Sequence, residues 1–131
     1  MDTFSLKNAT RSSLPRVAFS VIKEKILGGS YALSVVFVGE KRMRDLNATY
    51  RKKNTPTDIL SFPLSKNSGE IVLHMRSVTK KASLFSLSPR AYLAYVFIHG
   101  CLHLKGYTHG RTMEKLEDRW LRAFKLQKPL R

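Results

Sequence analysis

The spacing of histidines in the last third of the chain restricts its local fold more than any other feature. His99 and His103 are four positions apart in a segment that starts with Pro89 and stops at Gly106. Proline suits the first turn of a helix and glycine suits its end, so we predict a helix from Pro89 to about Leu104. Because residues four apart share a helical face, both imidazoles are expected to project from the same side.

His109 follows His103 by six residues, beyond the glycine turn, and can bring a third imidazole back to the pair. Three neutral imidazoles favour Zn²⁺, although Ni²⁺, Fe²⁺ or Cu²⁺ would also accept them. Three protein ligands leave a position for water, which is typical of catalytic zinc sites. The sequence therefore predicts a hydrolase with one metal ion held by His99, His103 and His109. The alternative is two surface histidines and an unrelated loop histidine.

Two residues inside this motif narrow the chemistry. Cys101 follows His99 by two residues and projects about 200° away around the helix, so we expect it in the core and not on the metal. Gly100 stands where an H-E-x-x-H peptidase carries its glutamate base, which disfavours peptide hydrolysis. His74 lies in a predicted strand away from the cluster, and we interpret it as a packed or surface residue.

The remaining hydrophobic patterns predict helices and strands without strict alternation, which is typical of the α+β class. A short loop between the last two predicted strands indicates an antiparallel hairpin. The length fits a single domain over residues 1–131. Besides the helix that carries the histidines, the predicted helices are Ser13 (as cap) to Leu27, Glu40 to Tyr50, Arg76 to Phe85 and a last helix that begins after a cap at Thr112. In this last helix Leu116, Trp120 and Phe124 are predicted to face inward. The predicted strands are Tyr31 to Val38, Thr57 to Phe62 and Glu70 to His74.

Charge is the informative part of the composition. The chain has 24 Lys and Arg against 9 Asp and Glu, a net charge of +15. Such an excess predicts a polyanionic partner, with nucleic acid first and an anionic membrane surface second, while a generally basic surface is the alternative. No apolar run approaches the roughly 20 residues of a membrane span. The lone Cys101 excludes an internal disulfide and favours a reducing, cytoplasmic location.

A basic turn, Arg51 to Lys53, precedes the second predicted strand. The arginine side chain is a planar fork of donors that binds phosphate oxygens in pairs. If this turn folds beside the metal, Arg51 can stabilise charge that develops on a phosphoryl group. Sequence spacing alone also allows a solvated turn without such a role.

Five segments together resemble the YbeY endoribonucleases. The longest is similar to that family's signature H-G-x-L-H-L-x-G-Y-D-H, and two others together, Leu46–Arg51 and Pro56–Pro63, are similar to the family's second motif. The resemblance extends from about Glu40 to Glu117. The matching segments are His99–His109, Leu46–Arg51, Pro56–Pro63, Gly69–Val72 and the positions Met113, Glu114 and Glu117.

This resemblance implies a metal-dependent, single-strand-specific endoribonuclease that acts in ribosomal RNA maturation, at the 3′ end of the small-subunit RNA, and in ribosome quality control. The implied partners are single-stranded or ribosomal RNA and the small subunit, with no DNA and no membrane. The implied fold is α+β, with a small mixed sheet packed with helices and a zincin-like metal site at the end of a central helix. His99, His103 and His109 would hold one Zn²⁺, and Arg51 would be the family's functional arginine.

Two positions depart from the family's pattern. Thr108 replaces the usual aspartate before the last histidine, so we expect weaker metal affinity because a partner of the ligand imidazoles is changed. Lys105 adds a positive charge that suits an anionic substrate. Two other functions stay open, namely a ribosome- or RNA-binding module with a structural metal and a zinc metallopeptidase.

Overall fold

The computed structural model of the chain describes residues 3–129. Within that range it contains four strands and five helices, named here in chain order. The strands are β1 (Phe4–Asn8), β2 (Ala32–Phe37), β3 (Ile59–Ser65) and β4 (Ser68–Leu73). The helices are α1 (Phe19–Leu27), α2 (Glu40–Arg51), α3 (Met75–Leu84), α4 (Pro89–Leu104) and α5 (Arg111–Ala123).

The strands form one mixed sheet in the order β1-β2-β4-β3. Strand β2 is parallel to both β1 and β4, and it places Val35 opposite Ile71. Strands β3 and β4 are antiparallel, which confirms the predicted hairpin. Pro63 lies inside β3 instead of closing it, and this is tolerated because β3 is an edge strand with an irregular register beyond Pro63. The predicted α+β class with a small mixed sheet is confirmed.

Helices cover both faces of this sheet. On one face Val35 and Phe37 of β2 join the main core with residues of α1, α3 and α4. On the other face Met43 of α2 packs with Val38 and Val72 in a second, smaller cluster. Strand β2 is therefore packed from both sides, with Leu33, Val35 and Phe37 buried on one face and Ser34 and Val36 half-buried on the other.

Helix α4 lies at the centre of the molecule. The side-chain oxygen of Ser88 accepts a hydrogen bond from the Ala91 amide at 3.1 Å, so the predicted helix start is confirmed. Cys101 is fully buried, which confirms its predicted place in the core. Gly106 follows the helix with a φ of 109°, a left-handed conformation that favours glycine.

Gly100 lets α4 approach the sheet directly. A Cβ atom at this position would lie 2.8 Å from Cδ1 of Ile59, 3.0 Å from Oγ of Ser61 and 3.2 Å from Cδ1 of Ile71. Real Cβ atoms essentially never have neighbours as close as 2.8 Å. Because Gly100 has no side chain, the helix that carries the histidines can lie close against β3 and β4.

The N-terminal part of the chain differs from its prediction. Helix α1 begins at Phe19, and Ser13 does not cap it. Long-range and local hydrogen bonds hold the preceding segment outside the helix, since Asn8 donates to the Ser12 carbonyl at 2.7 Å and Arg90 donates to the Arg16 carbonyl at 2.7 Å. Strand β1 was not predicted, because its alternation of apolar and polar residues is limited to Phe4 and Leu6 and is too short to identify a strand without the pairing with β2.

The last helix is rotated from its predicted orientation. It begins at Arg111 with Gly110 as its N-cap, so Thr112 lies inside the helix and is not the cap. The fully buried residues are Met113, Glu117 and Leu121, whereas the predicted inward residues Leu116, Trp120 and Phe124 are half-buried beside them. This rotation turns Glu117 towards α4. Within residues 3–129, no helix combines the length and apolar character that crossing a bilayer requires.

Candidate metal centre

Helix α4 presents His99 and His103 side by side near its C-terminal end. Their Nε2 atoms are 3.0 Å apart, and their ring centroids are 4.5 Å apart. Two imidazole nitrogens on one tetrahedral zinc ion, each about 2.05 Å from it, are separated by roughly 3.3 Å. A small ring rotation therefore suffices for both nitrogens to bind one ion.

His109 completes the group from the loop between α4 and α5. Its ring centroid lies 4.9 Å from that of His99 and 4.8 Å from that of His103. The candidate ligand atoms of the three residues all lie within 4.8 Å of one another. The structure thus brings together the three histidines that the sequence singles out, and this group can hold a metal ion.

Hydrogen bonds on the far side of two rings set which nitrogen faces the site. His99 donates from Nδ1 to the Glu117 carboxylate at 2.5 Å. His103 donates from Nδ1 to the Tyr107 carbonyl at 3.0 Å. A carbonyl oxygen only accepts, so Nδ1 of His103 carries the proton and Nε2 keeps a free lone pair. Fixing the tautomer through such an acceptor is the usual support of a metal-binding histidine.

The electrostatics favour the neutral form of His103. Burial lowers its pKa first, and the neighbouring His99 and His109 lower it further, against opposing contributions from the Tyr107 carbonyl and Glu117. Only a neutral imidazole binds a metal, so a lowered pKa keeps His103 competent at neutral pH.

Glu117 is a site residue to which the sequence reasoning gave no role. Its side chain is 3% exposed, and it reaches His99 from α5, 18 positions away in the chain. One signal was available: Glu117 shares a helical stripe with the buried Met113 and Leu121, and a lone carboxylate on a buried stripe needs a partner.

Replacing Glu117 with glutamine is expected to lower metal affinity by about 10- to 100-fold. Glutamine keeps the volume and can still accept from His99, but it lacks the negative charge that makes the imidazole a stronger ligand. A competition titration against a chromophoric chelator measures the change. Glu114→Gln is the matched control, since Glu114 is exposed in the first turn of the same helix. Equal affinities in both variants would show that Glu117 only packs.

The three histidines open into a cleft of about 690 Å³. Arg51, the last residue of α2, lines the same cleft, while Lys52 and Lys53 are exposed outside its lining. The basic turn therefore contributes one side chain to the site. The other lining residues are Tyr50, Thr57, Asp58, Ile59, Leu60, Ser61, Phe62, Lys81, Phe85, Tyr92, Tyr95 and Val96.

Asp58 organises one wall of the cleft and was also missed by sequence reasoning. It is buried, it accepts from the Tyr92 hydroxyl at 2.9 Å, and it forms an ion pair of 3.4 Å with Lys81. Burial and the Asp58 charge raise the pKa of Tyr92, so the hydroxyl stays protonated. The contacts join the residue before β3 to α3 and α4, and they keep one positive charge of α3 in the lining of the cleft.

The remaining singled-out residues lie outside the cleft lining. His74 follows β4 and is the buried N-cap of α3, with Nδ1 2.8 Å from Oγ of Ser77, so of the two interpretations, packed or surface residue, the structure supports the packed one. Lys105 and Thr108 are exposed. The effect of Thr108 on metal affinity stays a prediction.

Comparison with known proteins places this geometry in a family. The family model described as Endoribonuclease YbeY matches residues 2–125. A curated Endoribonuclease YbeY from Thermodesulfovibrio yellowstonii is 39% identical over 106 residues, covering 71% of this chain and 67% of the relative. Another from Gluconobacter oxydans is 39% identical over 109 residues, covering 78% of this chain and 65% of the relative. The matched region thus spans about two thirds of these relatives' length.

The fold is also similar to that of a solved structure. The solution structure of a protein from Thermotoga maritima superposes with a TM-score of 0.65 at 24% sequence identity. The match covers 93% of this chain and 91% of that one. At this identity the likeness concerns the arrangement of helices and strands alone.

Proposed function

The chain belongs to the YbeY endoribonuclease family, and from this premise we propose that it cleaves single-stranded RNA with the help of one bound metal ion. One observation supports the proposal above all: three convergent imidazoles and an arginine share one open cleft. A purely structural site would be closed by a fourth protein ligand, whereas an open position is typical of a catalytic one.

The proposed ligands are His99, His103 and His109, and Zn²⁺ is the preferred ion. A bound zinc ion acts as a Lewis acid and lowers the pKa of water to about 7. The chain itself orients the ligands through Glu117 and the Tyr107 carbonyl. In this proposal Arg51 binds non-bridging phosphate oxygens, whose negative charge grows as the phosphoester is attacked.

Charge supports an RNA substrate. The net charge of +15 draws a polyanion towards the whole surface, and Arg51 and Lys81 place positive groups in the cleft lining. Ion-pair formation with Asp58 offsets part of the Lys81 charge, so Arg51 is the stronger candidate for direct phosphate contact.

The biological setting is a further part of the proposal. The resemblance to the family supports action in ribosomal RNA processing, at the 3′ end of the small-subunit RNA, and in ribosome quality control. We infer the small ribosomal subunit as partner and the cytoplasm as location. The lone, fully buried Cys101 suits a reducing compartment.

Neither alternative has a supporting observation of its own. An RNA-binding module with a structural metal would not explain why an arginine lines the same cleft as three histidines that leave one metal position open. An H-E-x-x-H peptidase carries a glutamate base next to its first histidine, whereas this chain has Gly100 there, packed closely against the side chains of Ile59, Ser61 and Ile71. Both remain distinguishable by experiment.

Removal and return of the metal test the proposal. The purified chain is incubated with a labelled single-stranded RNA and with the same sequence in a duplex, first metal-loaded, then chelated, then resupplied with Zn²⁺ or Mn²⁺. We expect cleavage of the single strand alone, loss with chelator and recovery with one equivalent of metal. Cleavage that continues in the presence of chelator would contradict the proposed role of the metal. Binding without cleavage by the metal-loaded protein would indicate a binding module.

A further inference from the structure

Among the Phe, Tyr and Trp side chains of residues 3–129, Tyr50 is the only exposed one. It is 62% exposed, although it lines the cleft that holds the histidines. The other large exposed hydrophobic residues are aliphatic and lie outside the cleft lining; they are Leu6, Val21, Leu64 and Leu84. An aromatic ring in water beside a candidate active site indicates a contact surface for a ligand.

The Tyr50 ring is positioned by a packing contact with Phe62. Its centroid lies 4.9 Å from that of Phe62, with the ring planes at 63°, an edge-to-face contact. Phe62 is half-buried and packs against the smaller hydrophobic cluster that includes Met43 and Leu60. The two rings, here called the Tyr50–Phe62 platform, are therefore anchored from α2 and β3. A flat ligand that stacks on the exposed Tyr50 face costs little ordering entropy, because Phe62 holds that ring in place.

The other rings of the cleft are already engaged. Tyr92 is 4% exposed, lies flat against Phe85 at 5.6 Å and 10°, and donates its hydroxyl to Asp58. Tyr95 lies between Tyr92 and His99, with centroids 5.8 Å and 6.2 Å away. Among the Phe and Tyr residues that line the cleft, Tyr50 is therefore the one that is exposed.

The charges next to this platform select its ligand. Arg51 follows Tyr50 at the end of α2 and lines the same cleft, so the cleft lining offers both an aromatic ring and a guanidinium. A nucleotide carries the complementary pair, a flat base and a phosphate. Bases stack on aromatic rings only when they are unpaired and splayed from a helix.

From this arrangement we propose that the Tyr50–Phe62 platform stacks one unpaired base of the RNA, next to the phosphate that Arg51 binds. The inference rests on the proposed function and extends it to a base-binding subsite. It also supplies a physical reason for single-strand preference. A base inside a duplex already stacks on its neighbours and cannot reach the platform, whereas a single strand places a base there without unpairing.

Binding measurements on metal-free protein test the subsite independently of cleavage. Fluorescence anisotropy with a labelled single-stranded RNA gives the affinity of the wild type and of three variants. We expect Tyr50→Leu to weaken binding about tenfold, because base–aromatic stacking is lost, and Tyr50→Phe to stay within about twofold. Leu64→Ala is the matched control, since it removes an exposed apolar side chain of β3 outside the cleft lining.

Abasic RNA shows whether the lost contact is to a base. Single abasic sites are moved along the RNA, and we expect the wild type to lose about tenfold affinity at one position. Tyr50→Leu should be insensitive at that same position, because both changes remove one interaction. A duplex of the same sequence should bind both proteins equally.

The outcomes separate the two proposals. If the wild type cleaves RNA but Tyr50→Leu binds as tightly as wild type, the platform is wrong and the function stands. If Tyr50→Leu and the abasic site are coupled but the loaded wild type never cleaves, the platform stands and catalysis fails. Equal weakening at every abasic position in both proteins would assign Tyr50 to some other contact and overturn the subsite.

Discussion

Replacing His103 with alanine is expected to abolish metal retention and RNA cleavage together. Two imidazoles then remain, and two-ligand sites hold zinc far more weakly than three-ligand sites. The variant also loses the hydrogen bond from His103 to the Tyr107 carbonyl, which ties the loop carrying His109 to α4. We expect metal content to fall from about one ion per chain to below about a tenth, and cleavage to fall to background.

Elemental analysis after gel filtration and a gel-based RNA cleavage assay measure both effects. His74→Asn is the matched control because it removes a histidine outside the cleft, and asparagine is a favoured residue at its N-cap position. The control should keep its metal and its activity. Equal cleavage by His103→Ala and wild type would trace the activity to a contaminant or to a site elsewhere.

Replacing Arg51 with alanine is expected to lower the cleavage rate by about 10²- to 10³-fold while metal content stays unchanged. Loss of one preorganised donor to developing charge typically has an effect of this size. Arg51 is exposed at the end of α2, so its removal leaves the core intact. Arg51→Lys should recover only part of the rate, since lysine keeps the charge but not the planar fork.

Single-turnover cleavage, metal content and the thermal unfolding midpoint are compared for these variants. Arg42→Ala is the control for charge alone, because Arg42 lies on the same helix, is exposed and is outside the cleft lining. It should weaken RNA binding slightly and leave the rate of the bound complex unchanged. An Arg51→Ala protein that cleaves at the wild-type rate would remove Arg51 from the proposed mechanism.

Features set by neighbouring residues could be predicted from the sequence. The four-residue spacing of His99 and His103 fixes a shared helical face, and the structure shows their nitrogens 3.0 Å apart. Ser88 and Pro89 specify the start of α4 through a hydrogen bond and a preset backbone angle. Such signals depend only on residues close in the chain, so they can be recognised without knowledge of the tertiary fold.

Features set by distant contacts could not be predicted. Strand β1 is defined by its pairing with β2, and its own five residues, with only two apolar side chains, give too short a pattern to identify it. Glu117 reaches His99 only because α5 packs on α4 with a different face inward from the one its apolar residues suggest. The position of Arg51 in the cleft likewise depends on how α2 lies against the sheet.

Net charge predicted a polyanionic partner but not where it binds. Lys52 and Lys53 belong to the basic turn of the sequence and lie outside the cleft lining. Lys81 of α3 does line the cleft, where it forms an ion pair with Asp58. Composition gives only the total charge, whereas the position of each charge on the surface depends on the fold.

Gly100 also limits which reactions this scaffold can acquire through mutation. Glutamate in place of Gly100 would give α4 the H-E-x-x-H pattern of a peptidase. Its Cβ atom would begin where the side-chain ends of Ile59, Ser61 and Ile71 now lie, so these side chains would have to move. A change to peptidase chemistry on this scaffold would therefore involve repacking of β3 and β4 as well as the new carboxylate.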